Sequence, residues 1–227
     1  SWSGQSADTP FRTIAKASSM LATGDTILLR RGDVFRESVS VGRSGINIDA
    51  YGTHEDLPVI SGSTPITNWQ PYNGSIYSAD LPTDVEYLFS DNRQMTLARY
   101  PNSGWLRTTT WTENSDGSNT VVTSSGLTSN PRNANDYWNG ANMRWHRHSW
   151  WFETRKVNDY TSSGNLHLDG SSIIAIQPWN KNGWGFYMDN KLSELDAPGE
   201  YYVDPAADKV YFYAPDGADP NALMVEG

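Results

Sequence analysis

The chain has 227 residues, no cysteine, and 17 basic against 26 acidic side chains, for a formal net charge of −9. The acidic balance argues against a protein that binds the phosphate backbone of nucleic acid, and the lack of cysteine excludes disulfides, thiol catalysis and cysteine-ligated zinc. No stretch approaches the roughly 18 consecutive apolar residues of a membrane span, and an aromatic content of 12% argues against disorder.

The first predicted element is a short amphipathic helix near the start of the chain. Thr9 is the candidate N-cap, Pro10 takes the first helical position, and Gly24 ends the run. Between them, one face at helical spacing carries Phe11, Ile14, Ala15, Ala17, Ser18 and Leu21. This face needs an apolar partner.

From Asp25 onward the pattern changes to short apolar runs that are punctuated by glycine. The runs are TILLRRGD, SVSVGRSG, INIDAYGT and LPVISGST. They are too short for helices, and their β-branched residues favour strands. Such strands form either antiparallel hairpins or the coils of a parallel solenoid, and the pattern alone leaves both open.

Residues 67–215 are richer in aromatic side chains and are also predicted to be β-structure. Eight of the ten tryptophans lie in one stretch of this region. Asp91 and Asn92 suit a two-residue hairpin turn, and the 201–213 segment reads as a hairpin around the turn DPAAD. The change in composition near Trp69 predicts an inserted β subdomain.

The segment GQSADTPFRTIAKASSMLATGDTILLRRGDVFRESVSV resembles the N-terminal cap and first coils of secreted right-handed parallel β-helix proteins of the pectate-lyase-like group. YLFSDNRQMTLARYPNSGW and LSELDAPGEYYVDPAADKVYFYAP are similar to a β-rich insertion in a subset of carbohydrate-active members. The resemblance implies an all-β fold: a truncated right-handed parallel β-helix with an N-terminal cap helix and a large antiparallel β insertion. It implies a cap helix and first coils over 1–66, a Trp-rich antiparallel insertion over 67–215, and a return to the β-helix over 216–227.

For function, the resemblance implies the N-terminal portion of a secreted bacterial carbohydrate-active enzyme that acts on a polysaccharide as a lyase or glycoside hydrolase. Catalytic residues in such proteins usually sit on later coils, so the catalytic centre is expected beyond this fragment. The expected partners are a polysaccharide or glycan and the rest of the β-helix after Gly227, in an extracellular or periplasmic location. The alternative is a non-catalytic extracellular surface, structural or glycan-binding β-solenoid protein.

The sharpest chemical cluster is the segment RWHRHSWW, which begins at Arg144. On a strand, His146 and His148 share one face with Arg144 and Trp150. Flat rings stack on sugars, while Arg and His bind hydroxyls or a uronate carboxylate. The predicted substrate-binding residues are Arg144, Trp145, His146, His148, Trp150 and Trp151. The competing interpretation, which the pattern favours, is that alternate residues pack in a core and the others are solvated.

No metal site is predicted from these residues. Two histidines at this spacing would need a third ligand, and calcium at the Gly-Asp turns is a candidate without a spaced acidic repeat to support it. None of the many carboxylates pairs by spacing as the acid and nucleophile of a glycosidase. Arg99 is expected to anchor its strand by pairing with a buried carboxylate, with a contact to substrate as the alternative.

Overall fold

The computed structural model describes residues 3–82, 85–114, 118–148, 150–170 and 184–227. They divide into two compact units, Ser1–Thr64 and Pro65–Gly227. Strands dominate both units, and the described residues include one α-helix, so the predicted all-β class is confirmed. Among these residues, no helix combines the length and apolarity that crossing a bilayer requires.

The first unit contains the helix and two small parallel sheets. Its elements are α1 (Ile14–Met20), β1 (Thr26–Arg30), β2 (Val34–Arg36), β3 (Asn47–Tyr51) and β4 (Val59–Ser61). β1 pairs with β3, and β2 pairs with β4, both in parallel. TILLRRGD, INIDAYGT and LPVISGST contain β1, β3 and β4, so the hairpin alternative is wrong for these three runs. The strand predicted in SVSVGRSG is also wrong, because that run contains no strand and β2 lies before it. Taken together, the sheets of the described residues are open and of mixed direction, so they do not form the one continuous solenoid that was expected; the parallel pairs of the first unit are the part that resembles one.

The helix begins later than the sequence pattern predicts. Its N-cap is Thr13, whose side-chain oxygen accepts the N–H of Lys16 at 3.0 Å. The carboxylate of Glu37 accepts the N–H of Ile14 at 2.8 Å and that of the next residue at 2.9 Å. These amides are among the first-turn donors that lack partners within a helix. A cap supplied from far along the chain cannot be recognised from local spacing, which explains why Thr9 was predicted instead.

The second unit is built almost entirely from strands. In chain order they are β5 (Gln70–Asn73), β6 (Ile76–Asp80), β7 (Phe89–Ser90), β8 (Arg93–Gln94), β9 (Thr96–Leu97), β10 (Arg99–Tyr100), β11 (Leu106–Arg107), β12 (Thr110–Thr112), β13 (Val121–Thr123), β14 (Asn142–His148), β15 (Trp151–Thr161), β16 (Asn165–Leu168), β17 (Gly185–Asp189), β18 (Glu200–Asp204), β19 (Lys209–Tyr213) and β20 (Val225–Glu226). Short 3₁₀ turns lie at Ser125–Leu127, Leu192–Glu194, Pro215–Gly217 and Pro220–Ala222.

These strands form three sheets. The largest has eight strands in the order β10-β17-β14-β15-β16-β13-β12, with β11 also beside β17. A five-stranded sheet runs β5-β6-β19-β18-β9, and a three-stranded sheet runs β20-β7-β8. Described neighbours in these sheets are antiparallel except β18 and β9. The last strand, β20, pairs antiparallel with β7 inside this unit. The domain boundaries implied by the resemblance stay predictions.

Both hairpins that the sequence predicts are confirmed. Asp91 and Asn92 connect β7 to β8, with φ angles of 48° and 62°. Two positive φ values suit the tight turn whose twist matches that of the flanking strands, and Asn and Asp tolerate this conformation. β18 and β19 pair from Glu200 opposite Tyr213 to Asp204 opposite Lys209.

The eight-stranded sheet curls around a core of large rings. Trp111 on β12 and Trp145 on β14 come from distant strands of the sheet, yet their rings meet edge to face at 5.3 Å between centroids. The same core contains buried Trp138, Tyr160 and Phe186. The inner face of β14 and β17 is thereby committed to packing, and their other face is left for solvent or a ligand.

Glu200, at the start of β18, makes the fold sensitive to pH. Its oxygens accept N–H groups of Arg99, Asp196 and Ala197 at 3.2–3.3 Å, but burial raises its pKa from 4.5 to about 7. The folded protein therefore holds a proton that the unfolded chain releases between these values. Stability contributed by Glu200 is full below about pH 4.5 and is lost as the pH rises toward 7.

We expect Glu200→Gln to remove this contribution to the pH dependence. As the pH rises from 4.5 to 7.5, the free energy of unfolding of the wild type should fall relative to that of the variant. Urea denaturation at several pH values measures that difference. Curves that stay parallel across the range would show that the carboxyl group titrates normally.

Candidate functional site

The outer face of the large sheet is built where β17, β14 and β15 lie side by side. Side chains alternate between the two faces of a strand, and inward Trp145 fixes the outward direction of its neighbours Arg144 and His146. In register, Arg144 lies opposite Tyr187 on β17, and His146 lies opposite Phe152 on β15. Three neighbouring strands thus direct polar and aromatic side chains to one surface.

Trp105 completes this surface from the segment before β11. Its ring lies against Gly185, where an added Cβ would be only 3.3 Å from the indole. That distance is closer than ordinary packing tolerates, so the absent side chain at position 185 lets the indole lie on the strand. Trp105 remains 49% exposed in this position.

Five rings therefore meet on the outer face, and we call them the outer ring cluster: Trp105, His146, Phe152, Trp184 and Tyr187. The centroid of Trp105 lies 5.2 Å from that of Tyr187 and 6.0 Å from that of Phe152. His146 joins Phe152 at 6.5 Å and Trp184 at 5.1 Å. Phe152 is 49% exposed, an unusual state for so large an apolar side chain. An exposed and contiguous set of rings marks a binding surface more often than a packing defect.

Polar groups border the cluster on one side. The Nε of Arg144 donates to Asp189 Oδ2 at 2.7 Å, and its Nη1 donates to Thr154 Oγ1 at 3.0 Å. Asn142 donates to the other oxygen of Asp189 at 3.1 Å. Burial raises the pKa of Asp189, and the charge of Arg144 opposes that rise. Asp189 thus fixes the guanidinium of Arg144 in one orientation.

Arg99 lies beside the same rings, held differently from the prediction. Its Nε donates to the carbonyl of Pro101 at 2.9 Å and its Nη2 to that of Gly104 at 2.7 Å. The guanidinium carbon sits 3.9 Å from the centroid of Tyr187, in cation–π contact. No direct ion pair joins this arginine to a carboxylate of the described residues, although its charge lowers the pKa of buried Asp189, its register partner. Backbone carbonyls and a ring hold it instead.

The six residues predicted from the RWHRHSWW segment separate in the structure. Arg144 and His146 lie on the outer face, whereas Trp145 is 0% exposed and belongs to the inner core. Trp150 is 76% exposed between β14 and β15, and Trp151 donates from Nε1 to Glu153 Oε2 at 3.2 Å. His148 lies on β14, and its side chain is outside the described part. A binding role for this set stays a prediction.

Residues that the sequence pattern missed make up most of the outer ring cluster. Trp105, Phe152, Trp184 and Tyr187 come from three separate segments that only the strand order brings together. Phe152 had a detectable signal, because it adjoins the predicted segment. Tyr187 and Trp105 had none without knowledge that β17 pairs with both β14 and β11.

A second charged cluster is buried on the inner side of the sheet. Arg147, 1% exposed, forms an ion pair with Glu113, and its Nη1 lies 3.4 Å from Glu153 Oε1. Its guanidinium also lies 4.9 Å from the ring centroid of Trp111. Two carboxylates would suit glycoside hydrolysis, but Glu113 and Glu153 are only 9% and 10% exposed, so little of either is open to a sugar. We assign this cluster a structural role.

Within the described ranges, no three His, Asp or Glu side chains come together in a way that would hold a metal ion.

Comparison with known proteins shows a fold likeness. No family model matches the sequence, and no curated protein matches it. A solved chain described as "Glycoside hydrolase" superposes with a TM-score of 0.71 at 17% identity, covering 97% of this chain and 43% of that one. A structure of XylC with xylose gives 0.39 at 16% identity, covering 97% and 29%, which is too low to indicate a shared fold. The chain thus spans less than half the length of the glycoside hydrolase whose fold it shares over that part.

Proposed function

We propose that this chain is the N-terminal portion of a secreted carbohydrate-active β-helix enzyme, and that its second unit contributes a glycan-binding face. The observation that carries the proposal is the outer ring cluster. Exposed Trp105 and Phe152, seated beside Tyr187, form an apolar surface bordered by fixed hydrogen-bond donors. Sugars present an apolar face of C–H groups and an edge of hydroxyls, and this combination matches both.

The fold likeness supports the wider assignment. The matched part of the solved structure is 43% of a chain described as a glycoside hydrolase. The whole protein would act on a polysaccharide as a lyase or a glycoside hydrolase, with its catalytic residues on other coils.

The parallel strand pairs of the first unit support a β-helix. β3 follows β1 and β4 follows β2 in parallel and in register, as successive coils of a solenoid do. Ile27 and Ile48 are register partners, and the first is 5% exposed while the second is 45% exposed. Ile60, in register with Phe35, is similarly exposed at 42%. We infer that a further coil stacks on the open edges of β3 and β4 and covers these side chains.

A glycan panel tests the binding face. We expect the chain to be retarded in affinity electrophoresis by at least one polysaccharide, and Trp105→Ala to weaken that interaction at least about fivefold, because the loss of a stacked aromatic side chain costs on the order of 1–3 kcal/mol, which is about 5–150-fold. Tyr72→Ala is the matched control, since Tyr72 is equally exposed at 51% but lies on the five-stranded sheet. Equal losses in the two variants, or no retardation by any polymer, would overturn the proposal.

A further inference from the structure

The outer ring cluster adjoins three cationic side chains on a protein whose net charge is −9. Arg99 and Arg144 lie next to Tyr187, and Lys156 occupies the outward position in register with Asn142. Three acids accompany them: Asp189, which is only 3% exposed, Asp169, which is 45% exposed and accepts the backbone N–H of Lys156 at 2.9 Å, and exposed Glu86. The two arginines beside Tyr187 are therefore the cations that a ligand of the ring cluster would meet.

Arg144 is fixed in position with part of its donor set unused. Its Nε and Nη1 donate to Asp189 and Thr154, and its Nη2 has no hydrogen-bond partner among the described residues. The side chain is 30% exposed, so a ligand can reach this open edge. A guanidinium that is already oriented loses little conformational freedom when it binds an anion.

Arg99 supplies a second charge with the same arrangement. Two of its nitrogens donate to backbone carbonyls, and its Nη1 has no partner within the described ranges. Stacking on Tyr187 keeps the guanidinium beside the rings. Along the backbone, Arg99 pairs in register with Asp189. The two arginines thus flank the ring that Trp105 contacts.

We propose that the ligand of this face is an acidic glycan, whose sugar ring stacks on Trp105 and Phe152 while its anionic group is bound by the open edges of Arg144 and Arg99. This inference rests on the proposed glycan-binding function and adds the substrate class. A carboxylate of a uronic acid and a sulfate ester share the required chemistry. A neutral sugar would leave the arginines without an anion and would gain nothing from their fixed geometry.

The test compares polymers that differ only in charge. Polygalacturonate, its carboxyl-reduced form and a sulfated galactan are titrated against wild type, Arg144→Gln and Lys209→Gln. Lys209→Gln removes the same charge from a surface pair with Asp80 on the five-stranded sheet. We expect wild type to bind at least one acidic polymer about tenfold more tightly than the reduced one, Arg144→Gln to lose about that factor, and Lys209→Gln to keep it.

A measurement on the unmodified protein guards against a folding defect in Arg144→Gln. The affinity for the acidic polymer should fall steeply as salt rises from 20 to 500 mM, whereas weak binding of the reduced polymer should not. Equal binding of the charged and reduced polymers, with Trp105→Ala weakening both, would overturn the inference and uphold the glycan-binding function. Binding to none of the polymers would overturn both. Which anion the face prefers follows from whether the uronate or the sulfated galactan binds more tightly.

Discussion

Replacing Arg147 by methionine should lower the free energy of unfolding of the second unit by about 3–5 kcal/mol, the usual cost of leaving buried charges uncompensated. Arg147 is 1% exposed and binds both Glu113 and Glu153, whose side chains are 9% and 10% exposed. Methionine fills similar space and stacks on the same rings. The loss is therefore expected to come from the two carboxylates, which lose the charge of Arg147, although Glu153 keeps Arg155 Nη1 at 3.8 Å.

A triple variant separates charge from packing. Arg147→Met combined with Glu113→Gln and Glu153→Gln removes the charges of all three side chains and leaves Arg155 with Asp169 at 3.6 Å, so we expect it to be more stable than Arg147→Met alone. Urea denaturation followed by tryptophan fluorescence measures both, because nine of the ten tryptophans lie in the second unit. A loss below about 1 kcal/mol for Arg147→Met, or additive losses in the triple variant, would contradict a structural role for the cluster.

Trp145→Ala should be about as damaging, at roughly 3–5 kcal/mol, because it empties the centre of a packed core. The ring is 0% exposed, meets Trp111 edge to face at 5.3 Å, and lies 5.5 Å below the guanidinium of Arg147. No neighbouring element can move into the space without disturbing the sheet. Far-UV circular dichroism during urea denaturation measures the change without relying on the deleted fluorophore.

Trp150→Ala is the matched control for that experiment. Trp150 lies five residues away in the same sequence segment, but it is 76% exposed, so its removal should shift the denaturation midpoint little. Trp145 and Trp150, both predicted to bind substrate, would then differ in their effect on stability because one is buried and the other is exposed. Similar losses in both variants would contradict the burial of Trp145 in the core and the exposure of Trp150 in the turn after β14.

The sequence predicted well where local chemistry decides the structure. Asp91 and Asn92 adopt the left-handed turn that their side chains favour, and the alternation after Tyr201 gave its hairpin. Alternation also placed Arg144 and His146 on one side of a strand. It could not tell which side faces the core, because that depends on the partner strands β15 and β17.

The rest of the site depends on contacts between distant residues. Trp105 reaches Phe152 only because β11 pairs with β17, β17 with β14, and β14 with β15. The need for glycine at position 185, where an added Cβ would lie 3.3 Å from the indole of Trp105, has no signature in the sequence. The helix start was misplaced for a similar reason, since its cap comes from Glu37. Strand order is a global property, and tertiary contacts decide it after local patterns have set the strands.

The tryptophans of the described residues follow the same division. Trp69, Trp111, Trp138 and Trp145 are buried in the two cores of the second unit, while Trp105 and Trp150 are exposed. The high ring count thus serves packing first. The outer ring cluster is the exception that bears on function.

The most direct test of the central claim follows the indole N–H signals of the tryptophans by NMR while a bound oligosaccharide is titrated. If the outer ring cluster binds the glycan, the Trp105 signal should shift progressively, while the buried Trp69 and Trp138 signals stay in place; Trp105→Phe assigns the peak. Shifts at other tryptophans with Trp105 unmoved, at a concentration where the glycan is bound, would contradict the account.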